Sequence, residues 1–250
     1  MNFYSVIIGS ELLNGRRKDK HFDFLNGELL QRGWNHKGSF VIKDEPPFIE
    51  AIFNLIKQDK DAVMFSFGGI GATPDDYTRQ CAANVFRDSK MEFNDGAMKC
   101  IIDQFGDEAY PHRVNMANLP IDAKLLANPV SNVPGFYLDD RYFFVPGFPQ
   151  MAQAMILEAL EKHYPTNTQK VYRLTLSAMV GENEFIDVMK TMDQNVDFSS
   201  LPIMEDGKRN TVLSVASSDQ MLTQKEFDKF ITHCEAHNIE YTLTDIKQNN

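Results

Sequence analysis

The residues best placed to do chemistry in this chain are Gly68-Gly69-Ile70-Gly71-Ala72-Thr73-Pro74-Asp75-Asp76. Glycines let a ligand approach the backbone where a Cβ would obstruct it, and Gly68, Gly69 and Gly71 permit positive φ. The apolar run Ala62-Val63-Met64-Phe65-Ser66-Phe67 precedes them, within a central strand expected over Asp61 to Phe67. A run without alternation suits a strand buried on both faces, as in a parallel α/β sheet. Helical spacing follows: Thr73 is an N-cap candidate, Pro74 suits the first helical position, and Asp76 stands at capping-box distance from Thr73. Tyr77, Cys81 and Val85 then recur at four-residue intervals, with Ala82 and Phe86 beside them. A strand, a glycine loop and a helix N-terminus together make an anion site, so the expected ligand carries phosphate.

Two familiar phosphate motifs are excluded. A P-loop has Lys after its last Gly, where this chain has Ala72-Thr73. The dinucleotide fingerprint needs a third glycine that is missing here. The acidic pair Asp75-Asp76 has two readings. Carboxylates at a helix N-terminus are stabilised by the dipole by about 0.3–1 kcal/mol. A pair beside a glycine turn can also hold a hard divalent cation, Mg²⁺, Mn²⁺ or Co²⁺, against a phosphate.

The elements that must position this loop follow from periodicity. Phe3 to Ile8 reads as a strand ending at Gly9-Ser10-Glu11, and a polar loop over Arg16 to His21 leads to a helix with Phe22, Leu25 and Leu29 on one face. Gly33 is a C-cap candidate. Trp34 to Ile42 reads as a second strand, Asp44 follows it, and Pro46-Pro47 opens a helix with Ile49, Ile52, Phe53 and Ile56 at helical spacing. This β-α-β-α-β-α order predicts a doubly wound sheet, with ligands beyond the carboxyl ends of the strands. Glu11, Asp44 and Asp76 each follow one strand and could meet at one rim. Residues 91–119 read as mostly helical. Short strands at Lys124–Ala127 and Tyr142–Val145 flank Pro-Gly loops at Pro134-Gly135 and Pro146-Gly147, which are either connectors or walls of a site. A helix over Gln150 to His163 ends the domain.

Beyond the polar stretch Tyr164–Gln169 the order becomes strand, helix (Glu182–Gln194), strand, strand, helix (Thr223–His237), strand, the order of a ferredoxin-like fold. Thr223 and Glu226 suggest a capping box. His233 and His237 stand four residues apart, a candidate metal pair, with no third ligand evident in the sequence.

Composition is that of a folded protein: of 250 residues, 43% are hydrophobic and 24% charged. A formal charge of −10 argues against nucleic acid and anionic membranes as broad partners. Cys81, Cys100 and Cys234 are widely spaced and odd in number, which suits reduced thiols in a cytoplasm. Homo-oligomers are common among such folds, so one is the default expectation.

Several separated motifs agree with one family. Gly9-Ser10-Glu11-Leu12-Leu13-Asn14-Gly15, Val41-Ile42-Lys43-Asp44, the stretch Gly68 to Arg79, Asn128-Pro129, Pro134-Gly135-Phe136 and Pro146-Gly147-Phe148-Pro149 occur in the order expected of it. They resemble the molybdopterin-binding (MoaB/Mog-like) domain of competence/damage-inducible protein A, over roughly residues 1–165. The remainder resembles that family's small middle domain. The resemblance implies an α/β fold: a three-layer α/β/α domain with a mostly parallel sheet over 1–165, then a small α+β ferredoxin-like domain over 169–250. It implies a pocket for a phosphate-bearing ligand, which is molybdopterin in the cofactor-biosynthesis branch. In the damage-inducible branch the implied activity is metal-dependent cleavage of the ADP-ribose diphosphate. Carried over by motif, Glu11, Asp44 and Asp76 are the catalytic candidates, and Asp75 and Asp76 the metal ligands. Ser10, Gly68, Gly69, Gly71, Thr73, Arg79, Asn128, Pro146 and Gly147 are the ligand-binding candidates. The deamidase domain of longer members has no room in this length, so nicotinamide-nucleotide deamidation is expected to be absent. The chain departs from the family pattern at Ser10, His21 and Gln150-Met151.

Overall fold

The computed structural model describes residues 1–205 and 207–244. The chain divides into two compact units, Met1–Asn167 and Thr168–Asn250. Residues 245–250 of the expected second domain lie outside the described residues.

The first unit begins with β1 (Asn2–Ile8), α1 (Ser10–Leu13), α2 (His21–Gln31), β2 (His36–Ile42), α3 (Pro46–Lys57), β3 (Ala62–Phe67) and α4 (Thr78–Phe86). It continues with β4 (Met91–Phe93), α5 (Asp95–Phe105), β5 (Asn118–Pro120), β6 (Lys124–Leu126), β7 (Gly135–Leu138), β8 (Tyr142–Val145) and α6 (Pro149–His163). A six-stranded sheet has the order β2-β1-β3-β8-β7-β6. The four strands β2, β1, β3 and β8 are mutually parallel, whereas β7 and β6 are antiparallel additions. Strand side chains alternate between faces. Val63, Phe65 and Phe67 therefore enter one core with α2 and α6, while Ala62 and Met64 enter the other with α3, α4 and α5. All six residues of β3 are buried, as its unbroken apolar run predicts. Phe65 stacks on Phe3 of β1 and on Phe143 of β8, at centroid distances of 6.3 and 5.1 Å. Each such buried side chain contributes about 1.5–3 kcal/mol. The result is a three-layer α/β/α unit.

Several local expectations are corrected. On α2 the buried residues are His21, Leu25 and Leu29, and Phe22 is exposed. On α4 they are Thr78, Cys81, Ala82, Ala83 and Val85, with Tyr77 exposed, because the helix begins at Thr78 and not after Thr73. The 91–119 stretch is mostly helical, as expected, but it also holds two short strands. β4 and β5 pair antiparallel around α5 and two short 3₁₀ turns, their few residues being too short for periodicity to reveal.

The second unit contains β9 (Tyr172–Ala178), a 3₁₀ turn (Glu182–Phe185), α7 (Ile186–Met189), β10 (Asp197–Glu205), β11 (Lys208–Ser217), α8 (Gln220–Ala236) and β12 (Tyr241–Thr244). Its antiparallel sheet has the order β10-β11-β9-β12, which is the ferredoxin-like arrangement. The helix expected over Glu182–Gln194 is only the 3₁₀ turn and α7. Asp219, not Thr223, caps α8, accepting from the Met221 and Leu222 N–H groups at 2.8 and 3.1 Å. Glu226 is buried and accepts instead from the Asp193 N–H at 3.0 Å.

Candidate ligand-binding cleft

Because β2, β1, β3 and β8 are parallel neighbours, their carboxyl ends share one edge. The segments that leave it are Gly9–Glu11, Asp44, Gly68–Gly71 and Pro146–Gly147. Gly68 takes φ 95° and lies so near β1 that a Cβ there would sit 2.4 Å from the Ile8 carbonyl oxygen. Gly69 takes φ 69°, and its Cβ would meet Thr78 Oγ1 at 2.2 Å. No other residue fits either position without moving backbone or the first turn of α4. Gly71 does not take positive φ; a Cβ there would sit 2.6 Å from Asp76 Oδ2 and push that carboxylate aside.

Side chains then lock the loop. Thr78 Oγ1 donates to the Gly68 carbonyl and the Thr78 N–H to the Gly69 carbonyl, both at 2.9 Å. The first N–H of α4 is thus committed to the loop. The Arg79 guanidinium donates to the Ile70 and Gly71 carbonyls, and burial lowers its pKa against the opposing pull of Asp76. Arg79 shapes the loop through these bonds. Asp76 Oδ2 accepts from the Thr73 N–H at 2.8 Å and the Thr73 hydroxyl at 2.5 Å. That is half of a capping box, closing a turn over residues 73–77 ahead of the helix.

The loop forms one wall of a cleft of about 530 Å³, within the size range of small-molecule sites. Gly69, Gly71, Thr73 and Asp76 stand on one side and Pro146, Gly147 and Phe148 on another. Phe105, Met116, Val133, Pro134 and Met151 supply apolar lining. Both Pro-Gly loops are therefore walls of the cleft. Asn128 also lines it, yet its amide is spent on the loop: it donates to Ser131 Oγ and the Val133 carbonyl at 2.9 Å and accepts from the Val130 N–H at 3.1 Å. Asp76 is the only charged residue in the lining.

The other acidic candidates have partners of their own. Asp44 Oδ2 accepts from the Ser10 N–H and hydroxyl at 2.7 and 3.0 Å, joining the ends of β1 and β2. Glu11 lies 3.6 Å from Arg17, which donates to the Gly147 carbonyl at 2.9 Å. Asp75 is exposed and outside the lining. Among the described residues, Glu11, Asp44, Asp75 and Asp76 do not bring three ligand atoms within 4.8 Å of one another. Any cation at this edge would draw most of its oxygen ligands from phosphate and water, as Mg²⁺ sites commonly do.

Sequence reasoning named Glu11 in the second half of the neighbourhood but gave Lys20 and His21 no role there. Beyond Gly147, a small cavity is lined by Glu11, Arg17, Lys18, Lys20 and His21. His21 is 4% exposed and stacks on Phe67 at 4.6 Å; its Nδ1 has no hydrogen-bond partner, and burial lowers its pKa. The i, i+4, i+8 spacing of His21, Leu25 and Leu29 could have placed it inward. Phe148, 61% exposed at the cleft mouth with Arg17 5.9 Å over its ring, had no signal beyond its place after Pro146-Gly147.

Residues 5–165 match the family model described as "Probable molybdopterin binding domain". The chain belongs to that family. It is 29% identical over 226 residues to a CinA-like protein of Syntrophomonas wolfei, covering 86% of this chain and 54% of that one. A protein of Caldivirga maquilingensis is 31% identical over 166 residues, 64% of each chain. The crystal structure of a CinA protein of unknown function from Thermoplasma acidophilum superposes with a TM-score of 0.58 at 27% identity, covering 65% of this chain and 98% of that one. The chain thus spans about half the length of the Syntrophomonas relative. Within the molybdopterin-binding family, the MoaB/Mog-like fold expected from the motifs is the fold observed, with the ferredoxin-like unit added after it. Among the described residues no helix is long and apolar enough to cross a membrane.

Proposed function

We propose that the cleft binds a small molecule made of a flat heteroaromatic ring and a phosphate, of the pterin or nucleotide class. The observation that carries this reading is the division of the cleft neighbourhood. Phe105, Met116, Phe148 and Met151 provide an apolar place for a ring, while the glycine loop offers close backbone approach at the other wall. A ring gains from burial against such side chains and orients on a few polar groups. Charge balance supports a phosphate position away from Asp76. Asp76 alone would repel it, and Arg17, Lys18 and Lys20 stand just beyond Gly147, so the anionic end lies across Gly147 toward them.

The family description, molybdopterin binding, supports the pterin member of this class. The second reading is hydrolysis of a nucleotide diphosphate such as ADP-ribose with a divalent cation. What favours it is Asp76, the one ionisable group lining the cleft. Calorimetric titration with a pterin phosphate and with ADP-ribose, each with and without Mn²⁺, tests both. Binding of the pterin phosphate without metal, weakened at least tenfold by Arg17→Met, supports the first reading. AMP and ribose 5-phosphate formed only with metal, and lost in Asp76→Asn, would replace it with the second. Absence of binding and turnover would overturn both.

A further inference from the structure

The second unit holds a cluster independent of the cleft. His233 in the last turn of α8 and His237 at its C-cap stack their rings at a centroid distance of 4.2 Å. Nε2 of His233 is buried without a hydrogen-bond partner and lies 3.6 Å from Glu184 Oε1. His237 Nδ1 lies 2.9 Å from the His233 carbonyl oxygen, an acceptor only. In a neutral ring that contact places the proton on Nδ1 and leaves the Nε2 lone pair free, the arrangement in which a backbone carbonyl orients a metal-bound histidine.

Glu184 arrives from a different element, the 3₁₀ turn before α7, and is the third ligand that sequence spacing could not supply. Its neighbour Phe185 is fully buried and packs against Phe230 and the His233 ring at 5.8 and 5.5 Å, which fixes the turn against α8. One donor atom from each of Glu184, His233 and His237 lies within 4.8 Å of the others. Among the described residues this is the one such trio of His, Cys, Asp or Glu.

We infer that Glu184, His233 and His237 bind a borderline divalent transition cation of the Zn²⁺, Co²⁺ or Ni²⁺ class. Two imidazoles and one carboxylate are the donors such ions favour, whereas Mg²⁺ and Ca²⁺ require more oxygen ligands. The carbonyl end of α8 adds negative partial charge at the same place. Both Glu184 and His237 are exposed, so water can complete the coordination. The bound cation ties the Glu182–Phe185 turn to the last turn of α8.

The test uses the full chain, stripped of metal with a chelator and titrated with Co²⁺ while visible ligand-field absorption is followed. Glu184→Gln, His237→Ala and Asp76→Asn are titrated alongside, and circular dichroism verifies folding. The exposed positions of Glu184 and His237 make loss of the fold avoidable. Expected are bands that saturate at one equivalent of Co²⁺, with affinity about tenfold or more weaker in Glu184→Gln and His237→Ala and unchanged in Asp76→Asn. No bands at a tenfold excess of Co²⁺, or bands lost in Asp76→Asn but kept in His237→Ala, would overturn the inference. Glu184→Gln and His237→Ala leave the cleft residues intact, so this outcome is separate from that of the cleft titrations, whose metal-dependent arm is read through Asp76.

Discussion

The glycine loop of the first unit and the end of α8 in the second are both places where chemistry-bearing residues converge, but they are built in opposite ways. The loop is made by backbone: its path is set by positions where a Cβ would strike the Ile8 carbonyl or Thr78, and its polar side chains are spent holding that path. The end of α8 is made by side chains on a regular helix, whose backbone would be the same without them. Substitutions in the loop should therefore cost stability and binding together. Substitutions around α8 should affect only what the side chains hold.

The largest expected effect is from Gly68→Ala. Positive φ and a 2.4 Å approach to the Ile8 oxygen should cost about 3 kcal/mol, measured by urea unfolding. An effect below about 1 kcal/mol would mean that the loop relaxes freely and is not backbone-determined. Next is Arg79→Met, which leaves two loop carbonyls without their donor and should cost about 2 kcal/mol while weakening ligand. If binding fell with stability unchanged, Arg79 would be a direct ligand contact and not a brace. Phe148→Ala sharpens the contrast from the other side: the ring is mostly exposed, so stability should change by less than about 0.5 kcal/mol while ligand affinity drops.

The smallest effect is on pH dependence. Burial lowers the pKa of His21, His36 and His163, all in the first unit. Because each binds a proton more readily when unfolded, stability should be full above their ordinary pKa of 6.5 and fall as pH drops below it. A lower Tm at pH 5.5 than at pH 7.5, with the gap narrowed in His21→Asn, is the expected result. An equal or higher Tm at pH 5.5 would contradict it.

Much of this was legible in the sequence. The buried run of β3, the glycines after it and the β-α alternation follow from periodicity and from the demands of a parallel sheet, and the ferredoxin-like order from the later elements. The rest depended on partners distant in the chain. Asp76 closes on Thr73, so the helix starts at Thr78; Asp44 is bound to Ser10 and Glu11 faces Arg17, so each carboxylate at the rim has a partner that spacing along the chain could not show. Glu184 joins His233 and His237 only through the fold of the second unit, with 48 residues of sequence between Glu184 and His233. Spacing along one element reveals ligands on that element, and cannot reveal one delivered by another.

The most direct test of the cleft as the ligand site is a titration of isotopically labelled protein with a pterin phosphate, followed by ¹H–¹⁵N amide shifts. Perturbations concentrated at Gly69–Thr73, Gly147 and Phe148, extending to Arg17, are the predicted result. Shifts confined to the second unit, or none at saturating ligand, would contradict the account.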